Sequence, residues 1–272
     1  MMETSNDSSG GGFTLIELMC VIALVMAVAL LAVTRLGRFG QGARRVAAQH
    51  DMAAIKEAFT SGTGGYLADM EGIPGFTCGT LRISNLLVST NLWADGGARL
   101  DIGSSYAVFT KWSEEASRGW RGPYLKGDVR PFPSYDDLPG FYPDISRLAL
   151  PSVFKDSRRA SIYGFTGEPV LFDPWGRPYV LQIPPPQAFT NVTSVTPSER
   201  FAYARIVSAG PDGTLSTPCF IPNLTNETAT SWNAASRSLV REAGRDAAGT
   251  MARGDDLVLF LYRNDVHEEV RE

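Results

Sequence analysis

The sequence predicts an α+β protein: a long N-terminal α-helix, apolar at first and amphipathic further on, packed on a small antiparallel β-sheet with long inserted loops. Three observations predict it. An apolar run, Leu18 to Val33, lies near the start. A helical pattern resumes at Ala43 and continues to Phe59. Strand-like runs bounded by Gly, Pro and Asp turns follow in the second half.

Counted back to Phe13, the apolar run reaches the roughly 20 residues that cross a bilayer as a helix. Only Thr14 and Glu17 interrupt it. A carboxylate inside a span costs roughly 2.5 to 3.5 kcal/mol on insertion scales, less near the interface, and usually has a partner or a function. Taken alone, Glu17 fits equally well a side chain that reaches back to the headgroups. Gly37, Gly40 and Gly42 follow, and each weakens a helix by about 1 kcal/mol relative to Ala. That predicts a bend or a loosened turn rather than a stop. In residues 43–60, Ala48, Met52, Ile55 and Phe59 share one face, which the helix would bury under the sheet. Ser61-Gly-Thr-Gly-Gly65 ends the helix.

Residues 66–150 carry weaker signals. Leu81 to Leu92 predicts a short helix with Leu86, Leu87 and Leu92 turned inward, and Tyr106 to Glu115 reads as strand or helix. Pro131, Pro133, Pro139 and Pro143 make Arg130 to Pro151 mostly loop. Further on, Asp173-Pro-Trp-Gly176 is a turn that feeds a strand at Tyr179 to Ile183. Arg200 to Ser208 reads as a second strand ending in the turn Ser208-Ala-Gly-Pro-Asp-Gly213, and Leu257 to Tyr262 reads as a third, entered from Gly254-Asp-Asp256. No internal repeat divides residues 61–272, which are long enough for one core.

Composition narrows the function. A chain of 272 residues, 44% hydrophobic and 20% charged, suits a globular body with one anchor. The formal net charge is -4 and Lys and Arg form no block, so nucleic acid is not an expected partner. Catalysis is not expected either. There is no nucleophile elbow, P-loop or HExxH, and the two histidines, His50 and His267, offer no triad. Glu168, Asp173, Asp136 and Asp137 supply carboxylates, but nothing sets two of them at a defined spacing. Cys20 lies in the span. Cys78 and Cys219 lie in the body, and whether they form a disulfide is open in the sequence.

The start of the chain carries a resemblance. A short polar leader ends in Gly12 and is followed by Phe13-Thr-Leu-Ile-Glu17. This resembles the processing site of type IV prepilins and of type II secretion pseudopilins. The resemblance implies that residues 1–12 are a leader removed by prepilin peptidase between Gly12 and Phe13, and that the new Phe13 amine is N-methylated. Residues 13–36 would be the membrane anchor, residues 43–60 the body-packing half of the helix, and residues 61–272 a periplasmic pseudopilin domain. Glu17 would pair with the terminal amine of a neighbouring subunit, since two groups that are each costly in hydrocarbon lose much of that cost together. The leader holds Glu3 and Asp7 and no Lys or Arg, unlike the basic leaders of the family. Arg35, Arg38, Arg44 and Arg45 follow the span, so charge alone would turn the body to the cytoplasm.

The second half is similar to the major pseudopilin of type II secretion in four landmarks, in the same order: Gly122-Pro-Tyr-Leu125, Asp173-Pro-Trp-Gly-Arg-Pro-Tyr179, Ser208-Ala-Gly-Pro-Asp-Gly213 and Gly254-Asp-Asp256. It does not extend to residues 72–118, 127–169 or 214–253. The resemblance implies a calcium ion held by Asp212 and by Asp255 or Asp256, with main-chain carbonyls near Ser208 and Ala209. Calcium takes about six to eight oxygens, and turn carboxylates and carbonyls are suitable donors. Asp in a turn also bonds its own backbone without any metal. The implied partners are copies of the chain itself, minor pseudopilins, the inner-membrane assembly platform and the peptidase, at the bacterial inner membrane. Two alternatives stay open: a surface type IV pilus subunit, and a single-pass anchored periplasmic enzyme or binding protein.

Overall fold

A computed structural model describes residues 14–70, 81–88, 111–134, 137–138, 140–141, 166–190, 193–219, 233–243 and 254–262, except for the side chains of 31–39. The chain divides into two compact units, residues 1–44 and 45–272. Helix α1, Leu15–Thr60, is 46 residues long. Its α-helical backbone runs through Gly37, Gly40 and Gly42 without the loosened turn expected there.

In the first unit the described apolar side chains of α1 are exposed, from Leu15 and Ile16 to Val28 and Leu30, the last at 73%. Counting described side chains only, no helix is long and apolar enough to cross a membrane.

The second unit is α+β. Three strands, β3 (Val180–Gln182), β4 (Arg205–Ser208) and β5 (Leu257–Phe260), form an antiparallel sheet in the order β3-β4-β5. Register pairs Leu181 with Ile206, and Ile206 with Leu259. A separate two-stranded sheet joins β1 (Val129–Pro131) to β2 (Pro169–Leu171). Helix α2 (Tyr66–Met70) follows the glycine-rich stop after Thr60.

The amphipathic half of α1 packs as its spacing demands. Ala48, Met52, Ile55 and Phe59 are 0 to 2% exposed and share a core with Tyr179, Leu181, Ile206 and Leu257. Each large side chain so buried contributes roughly 1.5 to 3 kcal/mol. The opposite faces of the same strands, at Val180, Val207, Val258 and Phe260, are also covered. Their partners there include Phe132, Leu138, Phe141, Leu215, Cys219 and Ala243. Both faces are buried, which is why adjacent positions such as Val180-Leu181, Ile206-Val207 and Leu257 to Phe260 are apolar rather than alternating, while Gln182, Arg205 and Ser208 are polar residues buried in the same strands.

Three local expectations change. The strand expected from Arg200 begins only at Arg205. Residues 197–201 form helix α3 (Pro197–Phe201), nucleated by a capping box in which Thr196 and Glu199 satisfy each other's amides. The helix expected over 81–92 is a single 3-10 turn, Ile83–Leu86, with Leu86 and Leu87 buried as expected and Leu92 outside the described residues. The described part of 106–115 is the start of a turn closed by Ser113 and Arg118. Within the segment 214–253, helix α4 (Ala234–Arg241) packs Val240 against Ala188 and Phe189.

Candidate functional site

Two places carry the chemistry that the sequence singles out. The first is the start of α1. Thr14 and Glu17 form a capping box at its N-terminus. The Thr14 hydroxyl accepts from the Glu17 amide at 3.3 Å, and Glu17 Oε2 accepts from the Thr14 amide and hydroxyl at 3.4 and 3.3 Å. Glu17 therefore stays within the first turn of α1, with its carboxylate exposed. Gly12 and Phe13 lie outside the described residues.

The second place is where the turn after β4 meets the turn before β5. Ser208 to Gly213 and Gly254 to Asp256 lie side by side although residues 214–253 separate them in sequence. Gly210 makes the approach possible. Its φ is +65°, and a Cβ there would stand 2.6 Å from the Asp255 carbonyl oxygen. A second close approach, of Gly254 to the Ser216 side chain, holds the two ends of the inserted segment together.

The three expected aspartates differ in role. Asp212 is exposed, and its Oδ1 accepts from the Thr214 amide at 2.7 Å, an Asx turn. Asp255 Oδ2 accepts from the Asp212 amide at 3.1 Å. Burial raises the Asp255 carboxyl above its ordinary value, and the neighbouring Asp212 carboxylate adds to the rise. Asp256 is 5% exposed and turns to Thr217, whose amide donates to Oδ2 at 2.6 Å. Burial pushes Asp256 up to about 7, and the Asp255 charge acts in the same direction. The structure thus brings Asp212 and Asp255 together, while Asp256 faces the inserted segment.

Buried oxygens at Asp255 Oδ1 and Asp256 Oδ1 have no hydrogen-bond partner, while the Thr217 side chain hydrogen-bonds the Asp256 carboxyl and lowers it against the effect of burial. A buried polar atom without a partner costs about 1 to 3 kcal/mol. Asp255 turns toward Asp212 and Asp256 toward Thr217, so the two carboxylates face different neighbours. Among the described residues no three His, Cys, Asp or Glu side chains gather as a metal-binding group. A cation here would therefore draw on hydroxyl or main-chain oxygens as well as carboxylates.

The remaining carboxylates of interest have structural partners. Asp173, 4% exposed, anchors the turn before β3. Its Oδ1 accepts from the Trp175 and Arg177 amides at 3.0 and 2.8 Å, and its Oδ2 accepts from the Ser208 hydroxyl at 2.6 Å. Glu168 accepts from the Ser84 hydroxyl and, at 3.4 Å, from Arg82. Asp69, in α2, receives both arms of the Arg121 guanidinium and the Tyr124 hydroxyl, and Arg121 also lies 4.2 Å over the Trp112 ring. The sequence held no sign of this clasp, because its acid and base are 52 positions apart. His50 is solvated beside Asp51, which accepts from the Tyr179 hydroxyl at 3.1 Å.

Cys219 is buried, and burial pushes its thiol up to about 11. Cys78 and Asp136 lie outside the described residues. No protein family, curated protein or solved structure was found to match the chain.

Proposed function

We propose that the chain is a structural subunit of a type II secretion pseudopilus, made as a prepilin and polymerised through its N-terminal helix. The observation that carries this reading is Gly12-Phe-Thr-Leu-Ile-Glu17 at the head of a 46-residue helix whose first part exposes apolar side chains all round. An apolar helical surface of that kind needs hydrocarbon or like helices around it. The amphipathic half of the same helix, packed on an antiparallel sheet, suits a subunit that is anchored at one end and folded at the other. In this reading the Glu17 carboxylate, held by Thr14, is positioned for a cation from a neighbouring chain. The new Phe13 amine of another copy is such a cation.

Residues 61–272 then form the periplasmic domain, and the Asp212, Asp255 and Asp256 turn is a calcium site. Its support is the pair of buried carboxylate oxygens without donors. Calcium would stabilise the folded chain by linkage, by about 2.7 kcal/mol at a free concentration one hundred times its Kd. Melting the full chain in detergent with calcium and with EDTA tests this, and equal midpoints would remove the metal from the proposal.

Mass spectrometry of the mature chain, made in cells with an active prepilin peptidase, tests the main reading. The expected species begins at N-methylated Phe13. A chain that keeps residues 1–12 under those conditions overturns it.

A further inference from the structure

We propose that Arg35, Arg38, Arg44 and Arg45 form a collar that binds the anionic headgroups of phospholipids, on the membrane face from which the body emerges. This rests on the anchor within the function proposed above, and on neither the calcium site nor the polymer.

The charge of the chain is unevenly placed. From Leu18 to His50 there are four arginines and no Lys, Asp or Glu, a net charge of +4. Residues 51–272 hold 21 Lys and Arg against 26 Asp and Glu, a net charge of -5. The body is therefore repelled by an anionic surface, and attraction to one has to come from the arginines. They begin two residues after the apolar run ends at Val33, and helix α1 continues through all four.

Their spacing suits a membrane surface. Along an α-helix Arg35 and Arg38 stand about 3 and 8 Å past Val33, and a headgroup layer is about 5 to 8 Å deep. Arg44 stands about 17 Å past Val33, followed by Arg45. A long side chain and a surface potential that reaches about 8 Å into physiological salt bring these two to the same phosphates. Arg44 and Arg45 are exposed, and among the described residues neither enters an ion pair. The nearest acids in sequence are engaged elsewhere: Glu17 bonds Thr14, and Asp51 accepts from Tyr179. Between the arginines, a Cβ at Gly40 or Gly42 would meet nothing within 4 Å, so the flank of the helix is open to a bulky headgroup.

Lipid selectivity of the full chain in phosphatidylcholine vesicles tests the collar, with spin-labelled phosphatidylglycerol and spin-labelled phosphatidylcholine as probes. Each basic side chain near an anionic surface contributes about fivefold in affinity. The expected result for wild type is at least a fivefold preference for phosphatidylglycerol in the immobilised lipid shell, most of which 1 M KCl removes. Arg44→Gln with Arg45→Gln should lower the preference at least twofold, and Gln at all four positions should bring it near one. Equal association of both lipids with wild type, or a preference that survives Gln at all four positions, overturns the collar while the immobilised shell shows that the anchor stands. A chain that carbonate extracts from the vesicles, and that immobilises neither lipid, overturns the anchor and the collar together.

Discussion

Asp173 offers the sharpest test of what holds the second unit together. Its carboxylate accepts from the Trp175 and Arg177 amides and from the Ser208 hydroxyl, so one buried side chain ties the turn before β3 to the end of β4. Asp173→Ala leaves those three donors buried without an acceptor. At about 1 kcal/mol or more for each, with water recovering part of the loss, the expected destabilisation is about 3 kcal/mol. For a unit of this size that lowers the melting midpoint by roughly 6 to 12 °C. Asp173→Asn keeps an acceptor toward the two amides, and the Ser208 hydroxyl can turn to accept from the new amide, so about 1 kcal/mol is expected. The pH dependence adds a second readout. Burial raises the Asp173 carboxyl above its ordinary value near 3.8. A folded-state value above the unfolded one means a contribution that is fully present below the unfolded value and is lost as pH rises through the folded one. The stability difference between wild type and Asp173→Asn should therefore shrink as pH rises from about 4, in chemical denaturation followed by circular dichroism. If Asp173→Asn costs as much as Asp173→Ala, charge rather than acceptor geometry holds the turn, and the reasoning fails.

Other outcomes follow from the same contacts. On the pseudopilin function proposed above, Glu17→Val removes a carboxylate that costs roughly 2.5 to 3.5 kcal/mol in a span, so membrane insertion should persist while ordered assembly or Phe13 methylation falls; both unchanged would take Glu17 out of the proposed mechanism. Leu215→Ala, at a fully buried position in the inserted segment, should cost about 2 to 5 kcal/mol in denaturant unfolding, whereas a surface appendage there would show a change within about 0.5 kcal/mol. Cys219, buried with its thiol pushed up to about 11, should resist iodoacetamide at pH 8 in the folded chain. Unfolding without reductant should then expose it, and continued resistance would identify the pairing with Cys78 instead.

The sheet and its support were legible because two periodicities coincide with burial. Ala48, Met52, Ile55 and Phe59 repeat at helical spacing and are the residues that α1 buries. The cores of all three strands, near Leu181, Ile206 and Val258, lie inside the runs that the sequence marks. Where the reading went wrong, a local signal was outweighed. Arg200 to Ser208 reads as one strand, but Thr196 and Glu199 supply a helix start that runs to Phe201. Ties between distant residues were not legible. Nothing near Asp69 in the chain announces Arg121, and nothing near Asp173 announces Ser208, because such pairs are set by the fold rather than by spacing. At the turn before β5 the sequence marks the aspartates but not Thr217, whose amide holds Asp256, since a threonine in a polar loop carries no signal until its burial is known.

The stretches without a resemblance are part of the core. Strands with apolar residues on both faces need cover on both, and α1 supplies only one. The other face, at Val180, Val207 and Val258, meets Leu138 and Phe141 from one stretch and Leu215, Cys219 and Ala243 from another. The same second stretch sends Thr217 to Asp256 and returns through Gly254 beside Ser216. An excursion that both covers the sheet and holds a carboxylate cannot drift from the body without exposing apolar surface and leaving Asp256 without its donor. The position of its described residues, 214–219 and 233–243, is therefore set by the energetics of the core.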